Sequence, residues 1–144
     1  MRQVIHRPRL PTFAVLAALA IPAALAQTSP GTPTPPQVRH SPSGVDYISG
    51  GAGEEERNAM AAQAADFPVK VVMSESAGEY VVADRLSVVT PQGEVLRVRD
   101  AGPVVMMRLP PGTYSFEVTW KDRTERRTVR VGTGPETVNW RFAG

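Results

Sequence analysis

Arginine is the residue type that clusters in this chain. Arg123, Arg126, Arg127 and Arg130 share one short segment, and Arg97 and Arg99 form a second group. In an extended chain alternate side chains share a face. Arg126 and Arg130 then have the parity of Thr124 and Thr128, which makes a cationic ladder lined with hydroxyls. Such a ladder can receive an anionic lipid, a lipopolysaccharide or an acidic protein partner. It can equally block strand-to-strand aggregation at an outer face or edge, and on the sequence alone this reading carries more weight. Arg126, Arg130, Arg97 and Arg99 are the candidate interaction surface.

Other residue types argue against chemistry. The chain has no cysteine, and its two histidines, His6 and His40, both precede the region that reads as folded. Serine–histidine and cysteine–histidine nucleophiles are therefore not expected, nor are zinc sites of nitrogen and sulfur ligands. Glu54-Glu55-Glu56 could hold calcium, but consecutive helical residues point apart. Three acids in a first helical turn are favoured by the helix dipole in any case. Gly50-Gly51-Ala52-Gly53 precedes a helix yet lacks the strand and the lysine of a phosphate-binding loop, and reads as a flexible lead-in. Tyr114, Trp120 and Trp140 could stack on a sugar, but alternation turns them toward a core. A small sandwich also has little room for two carboxylates flanking a glycosidic bond. No catalytic, cofactor-binding or metal site is expected, and the chain is not read as an enzyme.

These residues must be positioned by strands. The corner Leu109-Pro110-Pro111-Gly112 leads into a run where Tyr114, Phe116, Val118 and Trp120 alternate with Ser115, Glu117 and Thr119. A period of two with bulky apolar residues on one side is a half-buried antiparallel strand. Further strands are expected at 69–73, 85–90, 94–99, 104–109, 124–131 and 137–142, with a short extended piece at 80–83. Pro91-Gln92-Gly93 should join 85–90 to 94–99 as a hairpin, and Val104-Val105-Met106-Met107 is apolar on both sides, as a central or covered strand is. Turns about every ten residues are the rhythm of a seven-stranded antiparallel Greek-key β-sandwich, placed at 67–143. Before it, 46–66 reads as a lead-in and a short N-terminal helix stopped by Phe67-Pro68, with Ala59, Met60 and Ala64 available to dock.

The N-terminus reads as an address. Arg2, His6, Arg7 and Arg9 form a basic head, 13–25 is apolar, and Ala24-Leu25-Ala26 is a small-x-small cleavage site, so 1–26 is expected to be a signal peptide. The apolar run is too short to span a membrane, and no transmembrane segment is expected after cleavage. Cleavage removes three arginines and no acid, so sixteen basic residues against fourteen acidic become thirteen against fourteen. That balance gives no electrostatic footprint for nucleic acid. Residues 27–45, centred on Thr32-Pro33-Thr34-Pro35-Pro36, read as a disordered tether rich in proline, serine and threonine.

The stretch 84–90, the turn Pro91-Gln92-Gly93-Glu94 and the corner Leu109-Pro110-Pro111-Gly112-Thr113-Tyr114 together resemble the carboxypeptidase regulatory-like domains. These are transthyretin-like (prealbumin-like) sandwiches related to the B-type repeats of surface adhesins. The resemblance covers roughly 67–142 and implies fold rather than function. Nothing matches the hormone site of transthyretin. The adhesin repeats often carry a lysine–asparagine isopeptide bond with an acidic helper. Lys70 and Asn139 have the right topology for one, but Lys70 and Glu117 both alternate outward. The segment Tyr47-Ile48-Ser49-Gly50-Gly51 with the glutamates after it resembles small exported bacterial proteins, which implies a periplasmic setting. With no catalytic residues expected, the reading is a non-catalytic accessory or protein-interaction module of the bacterial periplasm, with secretion as the other location. A carbohydrate- or lipid-binding module of the envelope is the alternative, and a structural spacer a third.

Overall fold

The computed structural model describes residues 36–144. The expected signal peptide at 1–26 and the first part of the expected tether, 27–35, lie outside the described residues. Gly112–Trp120 (β7) is the strand that alternation requires, with Tyr114, Phe116, Val118 and Trp120 buried and the residues between them half-buried. It pairs antiparallel with Ala83–Thr90 (β4) on one side and Arg123–Val131 (β8) on the other. Gly93–Ala101 (β5) completes a four-stranded sheet of order β5-β4-β7-β8, and β4 and β5 form the expected hairpin, with a bulge at Val88/Val89.

The second sheet has five strands. Arg39–His40 (β1), Asp46–Gly50 (β2), Val104–Met107 (β6), Val69–Glu75 (β3) and Glu136–Phe142 (β9) follow one another in the order β1-β2-β6-β3-β9. The two sheets enclose one core, in which Val69, Val71, Met73, Val105, Met107, Trp140 and Phe142 of one face Leu86, Val88, Leu96, Phe116, Val118 and Val131 of the other. The chain is thus mainly β, with two sheets stacked on that core.

Three expectations need correction. Among the described residues there are nine strands rather than seven: the expected segments correspond to β3–β9, and β1 and β2 extend one sheet beyond β6. The sheets are not wholly antiparallel, because β3 and β9 run parallel, Val69 opposite Glu136 through Glu75 opposite Phe142. The tether does not run to residue 45, and the lead-in is not outside the sandwich. Arg39 and His40 pair with Tyr47 and Asp46, and Val45 is buried. The Ser41 hydroxyl donates to the Val95 carbonyl and accepts from the Val45 amide, both at 2.9 Å. A polar segment orders there because the sheet edge and β5 supply partners for its backbone and hydroxyl.

The helix is shorter than its composition suggests. Glu54–Ala61 (α1) gives way to a 3-10 turn at Ala64–Asp66. Of the three residues expected to dock, Met60 alone is fully buried; Ala59 is half-buried and Ala64 exposed. Met60 joins Ile48, Phe67, Val104 and Met106 in a second apolar cluster on the outer face of the five-stranded sheet. This explains the doubly apolar β6: Val105 and Met107 face the main core while Val104 and Met106 face the helix.

The corner before β7 is tied by its tyrosine. The buried Tyr114 hydroxyl donates to the Pro110 carbonyl at 2.6 Å, the tyrosine-corner device of β-sandwiches. Burial pushes the phenol above its ordinary value of 10.0. The neutral form is therefore favoured in the fold, and its contribution is fully present below pH 10 and lost as pH rises through the folded value. Tyr114→Phe is expected to lose about 1 kcal/mol at neutral pH. The difference from wild type should shrink above pH 10; a gap that stays constant in denaturant titrations up to pH 11 would mean that the hydroxyl does not carry it.

Candidate functional site

The outer face of the four-stranded sheet gathers the candidate arginines. Pairing aligns its residues in rows that run across all four strands. Arg99 lies opposite Arg85, Arg85 opposite Thr119, and Thr119 opposite Thr124. In the next row Arg97 lies opposite Ser87, Ser87 opposite Glu117, and Glu117 opposite Arg126. Arg130 stands farther along β8, opposite Thr113. The structure thus brings Arg97, Arg99, Arg126 and Arg130 to one face, but on opposite edges. Three strand spacings of about 4.8 Å place the two edges about 14 Å apart.

The four arginines are not equivalent. Arg126 is ion-paired with Glu117, and Arg97 with Glu94 at 2.9 Å. Arg99 and Arg130 have no ion pair among the described residues. Sequence reasoning missed Arg85. Its parity, opposite to that of Leu86 and Val88, was the available signal. It is half-buried in the middle of the face, directly across from Arg99, and donates to the Thr119 hydroxyl at 3.4 Å. Thr119 in turn shares a hydrogen bond of 2.9 Å with the Thr124 hydroxyl. Arg85, Arg97 and Arg99 line a shallow cavity of about 260 Å³ together with Asp84 and Thr119. Ser87 is only 2% exposed although it belongs to this outer face, so long neighbouring side chains lie over it.

The other two arginines of β8 have inward parity and a separate role. Arg127 packs over the Trp140 ring, 4.3 Å from its centre, and donates to the Asn139 carbonyl at 3.0 Å. Arg123 donates to the Ala143 carbonyl at 2.8 Å. The Trp140 indole N–H donates to Glu125 at 3.0 Å. These contacts join β8, the edge of one sheet, to Asn139 on β9, the edge of the other, and to Ala143 just beyond it. Arg123 and Arg127 are thus committed to the seam between the two edge strands, whereas Arg126 and Arg130 have the parity of the open face.

The remaining candidates resolve individually. Tyr114, Trp120 and Trp140 are buried, and Trp120 stacks on Phe142 with ring centres 4.9 Å apart, so they offer no sugar platform. Lys70 lies opposite Thr137 and Asn139 opposite Val72, while Glu117 sits on the other sheet bonded to Arg126. The isopeptide trio is not assembled. The glycine run does follow a strand, β2, contrary to expectation. Its helix start is nevertheless filled by its own acid: the Glu56 carboxylate accepts from the Ala52 amide at 3.2 Å, and Arg57 donates to the Gly51 carbonyl at 2.9 Å. His40 likewise lies within the folded unit, bonded to Asp46, which Arg108 also engages at 3.0 Å. The neighbouring Ser41 hydroxyl is committed to Val45 and Val95, so it does not serve His40 as a nucleophile.

Among the described residues no helix is long and apolar enough to cross a membrane. A comparison of the chain with protein-family models gives no match, and a comparison with curated proteins gives none either.

Proposed function

We propose that this chain is a non-catalytic, exported accessory module of the bacterial periplasm that docks an acidic protein partner on the outer face of β5-β4-β7-β8. The observation that carries this reading is the asymmetry of the two outer faces. The five-stranded sheet covers its outer side with α1 and an apolar cluster, while the four-stranded sheet presents arginines and hydroxyls. Arg85, Arg99 and Arg130 remain without an ion pair among the described residues. Charge complementarity of this kind steers an acidic partner and fixes its register. The fold that accompanies the proposal is a Greek-key, transthyretin-like sandwich of the carboxypeptidase regulatory-like kind, formed by β3–β9. The Tyr114 corner and the repeated passage of the chain from one sheet to the other support it.

The test is cross-linking of the tagged protein in its native periplasm at two salt concentrations. A variant with Arg97, Arg99, Arg126 and Arg130 all changed to glutamine is carried in parallel. The expected result is one protein partner, weakened by salt and lost in the variant. A partner retained equally by the variant would move the docking surface elsewhere. Recovery of glycan or lipid without protein would favour an envelope-binding module, and recovery of neither would leave a structural spacer.

A further inference from the structure

Arg85 and Arg99 stand directly opposite each other on neighbouring strands, and Arg97 lies two residues from Arg99 on the same face. Directly opposed side chains in an antiparallel pair have Cβ atoms about 5 Å apart, and like charges there are destabilising. Here Arg97 turns to Glu94, and Arg85 reaches a neutral hydroxyl, Thr119. Asp84 lines the rim but forms no ion pair with either base. The bases Arg85, Arg97 and Arg99 against the acids Asp84 and Glu94 leave an excess of positive charge around an open cavity of about 260 Å³.

We infer that this cavity is an oxyanion subsite that takes a phosphate group. Arg85 and Arg99, opposed in register and both lining the cavity, supply two guanidinium forks. A carboxylate saturates one fork, whereas a phosphate has enough oxygens to bridge both. The Thr119 hydroxyl accepts from Arg85 and so holds its fork at the cavity wall. The bound anion removes the repulsion between the opposed bases, so binding and folding are coupled and the site reads out as stability. This subsite rests on the docking-face reading for its place, but it is measured on the isolated protein without a partner. Failure of one does not entail failure of the other.

The experiment is a thermal-unfolding series with inorganic phosphate against sodium chloride at matched ionic strength, followed by backbone amide shifts in NMR. Phosphate at about ten times its Kd should raise Tm by several degrees more than chloride. The amide shifts should concentrate at residues 84–86 and 97–99. Arg85→Gln and Arg99→Gln should each weaken phosphate binding about tenfold or more, while Arg141→Gln, exposed on β9 of the other sheet, should not. Without phosphate, Arg99→Gln should leave Tm unchanged or raise it, because it removes one of two opposed charges. An equal rise in chloride, or an undiminished phosphate response in both cavity variants, would overturn the site. Acetate matching phosphate in affinity would overturn the preference for a bridging anion.

Discussion

Phe116→Ala is expected to lower stability by about 3–5 kcal/mol, read as a shift in the guanidinium unfolding midpoint. Phe116 is fully buried at the centre of β7, which is itself held between β4 and β8. Its ring lies in the core shared by both sheets, so truncation leaves a cavity that neither sheet can close by moving alone. Ser115→Ala, one residue away and on the other face, should stay within about 0.5 kcal/mol. The contrast between neighbours is the test. A near-wild-type midpoint for Phe116→Ala would mean that β7 does not present this parity to the core.

The second large effect comes from a glycine. A Cβ on Gly102 would lie 2.5–2.6 Å from the backbone O, Cα and N of Gly50. The obstacle is main chain at the end of β2, so no side-chain rotation relieves it. Gly102 also donates its amide to the Ser49 hydroxyl at 2.9 Å, which ties the β5–β6 turn to β2. Gly102→Ala should therefore cost about 3 kcal/mol, the upper end of ordinary overpacking, because β2 must move away from β6. Gly132 has open space around it. Gly132→Ala is expected to be neutral or to stabilise by up to about 1 kcal/mol. Equal melting temperatures for the two variants would show that the close approach of β2 is not needed.

Local alternation made β7, β8, β9 and the β4–β5 hairpin legible, because each buries one face and exposes the other. The strand β2 escaped for a physical reason. In Asp46–Gly50 the half-buried Tyr47 packs on the main core and the buried Ile48 on the helix cluster, so adjacent residues make apolar contacts on opposite faces. No period of two remains to be read, and the glycine at its end suggests a loop. The outward parity of Arg126 and Arg130 was readable within β8. Their sharing a face with Arg97 and Arg99, and the meeting of Arg85 with Arg99, depend on which strands are neighbours, and strand order is set by the whole core. The ordering of residues 39–45 was hidden for the same reason: their partners, Val95 and β2, are distant or were unrecognised.

The parallel pairing of β3 with β9 has a kinetic consequence. Every register pair from Val69–Glu136 to Glu75–Phe142 joins the first expected strand of the sandwich to its last. Until β9 has been synthesised, Val71 and Met73 have no parallel neighbour beside them and Trp140 and Phe142 are missing from the core. The β3–β9 pairing therefore joins segments far apart in sequence, and making it precedes most of the energetic return. Such topologies fold on the slow side of the range for their size.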